Sequence, residues 1–160
     1  MSMVRFLTLL SVVVWVGGII FFAFVLAPTV FDPGILPSRE LAGAVVSRSL
    51  GLLHWMGLVC GVVFLVGAIA DSRASTGFAS IFAARNMLIL GMIFLTLFSM
   101  FVISTRMLTL RNDMTLIDKV PHDDPRRAEF NRLHEWSTRL EGAVLVLGLA
   151  VLFLTSRRLS

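Results

Sequence analysis

The stretch F130-NRLHEWSTRLEGAVLVLGLAVLF-L154 decides the fold, because two chemistries share one helical run. From Gly142 onward it is apolar enough to lie in hydrocarbon. Before that it carries an asparagine, two arginines, two glutamates and a histidine. The run has no proline or internal breaker, and Asp124-Pro125 upstream is a helix-start signal: Asp as N-cap, Pro at the first helical position. One helix over 125–156 is expected, at ~1.5 Å per residue about 48 Å long. The hydrocarbon core of a bilayer is only about 30 Å thick. A helix of that length tilts strongly or projects from the membrane.

The rest of the chain agrees with a membrane solvent. Of its 160 residues 57% are hydrophobic and 15% charged, with a mean hydropathy of +0.89, against about 25% charged in a soluble domain. Four apolar runs reach the roughly 20 residues a spanning helix needs. Beside 125–156 they predict helices over about 4–30, 39–70 and 80–110, with a polar loop over about 111–124. Pro33, Gly34 and Pro37 stop the first helix, Ser38 is the N-cap of the second, and "DSRASTG" is a short connection. The fold class is all-α: a single membrane domain over 1–160, an up-down-up-down four-helix bundle. Arg5 followed by an apolar run has the outline of a signal peptide. The run is too long for one and meets no small-residue cleavage site, so it reads as an uncleaved first membrane helix.

The net charge of +4 does not indicate nucleic acid. The basic residues sit at helix ends, as membrane topology requires, and no basic run with interleaved aromatics follows a phosphate backbone. The terminal side carries Arg5, Arg73, Arg85, Arg157 and Arg158, and the loop side the other nine basic residues together with nine of the ten acids. That count leans towards cytoplasmic loops without settling orientation. The lone Cys60 allows no intrachain disulfide or thiolate cluster.

Polar residues inside membrane helices are expensive and therefore candidates for function. Counting back from the terminal-side boundary places His54 of the second helix level with Glu141 of the fourth, and Ser99 of the third near both. A second layer, nearer the loops, would hold Thr29, Arg48, Arg106 and His134. On the fourth helix Phe130, His134, Ser137, Glu141, Leu145 and Gly148 share one stripe. Ser47, Gly51, His54, Leu58 and Gly61 do so on the second, and the two stripes are expected to face each other. The buried polar cluster is therefore Arg48, Ser99, Arg106, Ser137 and Glu141, with His54 and His134 as candidate cofactor ligands. No catalytic residue and no metal cluster emerges. The plain alternatives are a core histidine satisfied by Glu141, arginines paired with Glu135, Glu141 or headgroups, core packing for Trp15, Gly17 and Gly18, and interface anchoring for Trp55 and Trp136.

The stretches "WVGGIIFFAFVLAPTVF", "LPSRELAGAVVSRSL" and "FNRLHEWSTRLEGAVLVLGL" resemble the transmembrane protein 205-like family of small four-helix membrane proteins; "FVISTRMLTLR" fits more loosely. The resemblance implies the fold and a membrane location and supplies no reaction. It also implies a distant kinship with membrane proteins of the copper-resistance and protoporphyrinogen-oxidase types, whose helix histidines are associated with copper or haem. Their fuller histidine patterns do not appear here. Three roles follow: a non-enzymatic accessory or scaffold subunit working with a protein partner or as a homo-oligomer, a protein binding haem b through His54 and/or His134, or a small anion or proton-coupled transporter.

Overall fold

The computed structural model describes residues 3–36, 38–76, 82–114, 121 and 124–157. They form four long helices, α1 (Met3–Val30), α2 (Arg39–Thr76), α3 (Ala84–Met114) and α4 (Pro125–Ser156). All four are long and apolar enough to cross a membrane, and the chain is an integral, multi-pass membrane protein.

The helix ends follow local chemistry. α1 stops where Asp32 turns the chain, its Oδ1 accepting the Gly34 N–H at 2.9 Å. Ser38 Oγ accepts the Leu41 N–H at 3.2 Å, the N-cap expected for α2. Asp124 Oδ1 accepts the Arg126 N–H at 2.8 Å, and Pro125 is the first residue of α4. The Arg126 guanidinium also donates to Asp124, at 2.7 Å and 3.1 Å, and this pairing with the cap's N–H bond holds the Asp124 carboxyl below its ordinary range.

Two boundaries differ from expectation. α2 continues through Asp71–Thr76, the stretch read as a connection, because Ala, Ser and Arg are tolerated there and Arg5 donates to Asp71 at 2.6 Å. α3 begins at Ala84 and runs to Met114, past the expected end at residue 110. Its last turns are held by Arg111, which donates to the Glu40 carbonyl at 2.8 Å and to Ser47 Oγ at 3.4 Å. Residues 115–120, 122 and 123 of the expected polar loop, His122 among them, lie outside the described residues.

The helices pack as a ring, α1 on α2, α2 on α3, α3 on α4 and α4 on α1, which leaves α2 and α4 on a diagonal. Lipid is as apolar as the core, so close packing rather than exclusion from water must hold the helices together. The sequence supplies it with a large side chain set against glycine. Trp15, 2% exposed, lies flat on Gly57 and Gly61 of α2, and a Cβ at Gly57 would overlap the indole nitrogen. Val16 and Met92 close over Gly148 of α4, where a Cβ would stand 2.5 Å and 3.2 Å from them. Val12, Phe64, Ile89, Val144 and Val151 complete this core.

Charges place the bundle in the bilayer. Arg48 and Asp71 are about 34 Å apart along α2, Arg85 and Arg106 about 32 Å along α3, and Arg139 and Arg157 about 27 Å along α4. These spans bracket the hydrocarbon thickness of about 30 Å. Beyond Arg48, Arg106 and Arg139 the helices continue on the loop side as a projecting head. Ala42, Leu110 and Met114 are buried in it, and Arg106 donates to both oxygens of Glu129, at 2.8 Å and 3.1 Å.

Candidate functional site

The polar centre of the bundle is one contact. His54 Nε2 of α2 lies 2.6 Å from Glu141 Oε1 of α4, with the side chains 2% and 15% exposed. The level counted from the sequence is the level observed. Because α2 and α4 are diagonal partners, the contact crosses the middle of the bundle, just inside the loop-side charge girdle. The imidazole and the carboxyl share one hydrogen bond there, its direction set by the histidine tautomer. Such a pair ties two helices that otherwise hardly touch.

Ser99 is buried as expected, 1% exposed, and its Oγ has no hydrogen-bond partner among the described residues. It opens a turn of π-helix, Ser99–Ser104, that packs against α4; a second such turn, Phe22–Leu26, interrupts α1. The wider winding rotates the following residues relative to a regular helix, and π turns recur where a helix is shaped for function. Ser137 is likewise buried on the inner face of α4.

The second expected layer is not formed. Thr29, Arg48, Arg106 and His134 are all on the outside. Arg106 pairs with Glu129 and Arg139 approaches Glu135 at 3.8 Å, both pairs on the surface. At the membrane boundary a long cationic side chain reaches water by bending outward, which is cheaper than burial. For His134 the reason is angular. At about 100° per residue, Ser137 falls about 20° from buried Val144, whereas His134 falls about 80° away, at the edge of the stripe.

The structure therefore does not bring His54 and His134 together. His54 is committed to Glu141, and His134 is exposed about 10 Å further along the axis. These two residues do not fit the axial positions of one haem. Among the described residues no group of three or more His, Cys, Asp or Glu is placed to hold a metal ion.

Trp15 fills the core, Gly18 packs beneath Leu53 and Met56, and Gly17 faces open space. Trp55 and Trp136 are half exposed, with the Arg139 guanidinium 5.6 Å from the Trp136 ring centroid, as suits interface anchors. One cluster escaped the sequence reading: Arg5, Asp71 and Arg85 around a cavity at the terminal end. Its signal was present, since Asp71 is the single acid among the five terminal-side arginines.

Residues 10–116, more than half of the chain, match the family described as Domain of unknown function (DUF4149). No curated protein and no solved structure matches the chain.

Proposed function

Since the chain belongs to the DUF4149 family, whose description carries no activity, we propose a role from its geometry: it is a non-enzymatic accessory subunit of a larger membrane assembly, engaged through its loop-side head. The observation that carries this reading is the head itself. α2, α3 and α4 all continue past the membrane boundary on one side, where Arg111 lies over Gly43 and bonds across to Glu40 and Ser47, and Arg106 clamps Glu129. A membrane span needs no such extension; about 20 residues suffice to cross. The extension costs ordering entropy and yields a shaped, charged surface outside the bilayer.

The interior supports the same role. The buried histidine is used by Glu141 as a strut across the bundle, which suits a body that holds its head in one orientation. Kinship with the transmembrane protein 205-like family is part of the same proposal.

Photo-crosslinking tests it. A benzophenone side chain at Arg132 or Glu135, both exposed on the head, should give a discrete adduct with one polypeptide, whereas one at Val62, exposed on the lipid-facing side of α2, should give lipid adducts. Lipid or solvent adducts alone from both head positions would overturn the reading.

A further inference from the structure

The two halves of the bundle are not built alike. On the terminal side all four helices touch their neighbours around the ring. Towards the loops, from Phe22 in α1 and Ser99 in α3 onward, α1 stays on α2 and α3 stays on α4. The backbones of α2 and α3, and of α4 and α1, draw apart there. The loop-side half is thus two helical hairpins, each joined at the head end by its own connection, with a seam between them.

The seam begins at a definite level. Met92 of α3 and Val16 of α1 meet Gly148 of α4, and Ile93 of α3 meets Gly61 of α2. Seven residues nearer the loops, about 10 Å along each axis, this level maps onto Ser99, Ala23, Glu141 and His54. The His54–Glu141 contact therefore lies where the hairpins part, and both π turns, Phe22–Leu26 and Ser99–Ser104, lie there too. A π turn takes an extra residue into the winding and redirects the helix beyond it. The strut joins α2 to α4; the π turns belong to α1 and α3, the two helices it does not hold.

At its outer end the seam is crossed by a long side chain. Arg111 of α3 reaches α2, where its Nη2 donates to the Glu40 carbonyl at 2.8 Å and its Nη1 to Ser47 Oγ at 3.4 Å. The reach depends on Gly43, where a Cβ would stand 2.8 Å from Nη2. Met107 and Met114 lie within about 60° of Arg111 around α3 and so face the same seam; the first is half-buried, the second buried. Methionine is unbranched and repacks readily. Outside the bilayer the guanidinium, the carbonyl and the hydroxyl all find water as a replacement partner, so parting the seam leaves none of them unpaired.

We propose that the loop-side half is a hinged jaw, pivoting at the level of His54 and Glu141 and latched by Arg111 on α2. Closed, strut and latch hold the head in one shape. Open, the α1–α2 hairpin swings from the α3–α4 hairpin, a hinge motion absorbed at the π turns, and Met107, Leu110 and Met114 come to the surface of the head. From Glu141 to Pro125 the α4 arm is about 24 Å long, so a swing of about 10° moves its tip about 4 Å. The motion is a property of the chain alone and is read without a partner.

Pulsed electron spin resonance on the full-length protein in nanodiscs tests it. In a Cys60→Ala background, labels at Leu41 and Asn131, both exposed, report across the seam. Labels at Val66 and Leu149, exposed in the terminal-side half, report the base. The wild type should give one narrow distance for each pair. Arg111→Ala removes the latch and Gly43→Val displaces it. Each should add a population at the head lengthened by about 4 Å or more, with the base distance unchanged. The two variants act from opposite sides of the seam, so either carries the test if the other does not fold. Head distances matching the wild type in the variants would overturn the proposal. So would equal lengthening at the base, which marks a bundle loosened as a whole.

Discussion

The strut between His54 and Glu141 makes a quantitative prediction. Replacing Glu141 by Leu leaves a buried imidazole without its partner, and replacing His54 by Phe leaves the Glu141 carboxyl without its own, at the 2.6 Å contact. Breaking a fully buried pair costs about 3–5 kcal/mol. Polar contacts between membrane helices average only about 0.6 kcal/mol, with a maximum near 1.7. Glu141 retains 15% exposure and sits near the interface, which favours a value between these limits. Each single substitution should therefore cost about 1.5–2.5 kcal/mol. The double variant, which removes both polar groups, should cost clearly less than the sum, with a coupling of about 1–1.5 kcal/mol. Glu141→Gln keeps an acceptor and should lose only about 0.5–1.5 kcal/mol. The assay is unfolding in mixed micelles by increasing dodecyl sulfate, followed by tryptophan fluorescence; Trp15 is buried and Trp55 adjoins His54. Strictly additive single effects, with coupling below about 0.3 kcal/mol, would show that the contact carries no interaction energy and that the strut is not one.

Other expectations follow from single positions. Gly57→Val should destabilise by about 1–3 kcal/mol, because its Cβ meets the Trp15 indole. Gly17→Ala, with open space at the Cβ, should stay within about 0.5 kcal/mol; thermal melts in detergent check both. Ser99→Ala removes a buried hydroxyl that has no partner among the described residues and should be neutral or stabilising by up to about 1 kcal/mol, whereas a loss above that in the same melts would assign the hydroxyl a role. At the start of α4, Arg126 depresses the Asp124 carboxyl. A depressed acid contributes stability that is present above its unfolded value and is lost as pH falls through its folded value. Amide exchange in the first turn of α4 should therefore rise on acidification through and below the ordinary carboxylate range. Asp124→Ala should show fast exchange there at every pH.

The span of α4 was legible in full because Asp124-Pro125 marks its start chemically and no breaker follows. The end of α2 was not, since "DSRAST" has the polarity of a loop and its helical state depends on Asp71 meeting Arg5, a long-range contact. The pairing of His54 with Glu141 could be counted because both helices run the same way from one boundary. The outer layer could not, because depth alone says nothing about the direction of a side chain. Arg48 and Arg106 share a depth and turn outward, and His134 lies at the edge of its stripe. The cavity at Arg85 depends on four helices converging, which no periodicity within one helix reveals.

The central claim, an accessory subunit held in a larger assembly, is tested most directly by native mass. The protein is extracted from its own membranes in polymer-bounded lipid discs, released intact and weighed, with an absorption spectrum of the same sample. The account predicts a particle containing the 17.6 kDa chain and a second polypeptide in fixed ratio, with a spectrum free of a Soret band. A chain released alone, or carrying a stoichiometric haem, would contradict it.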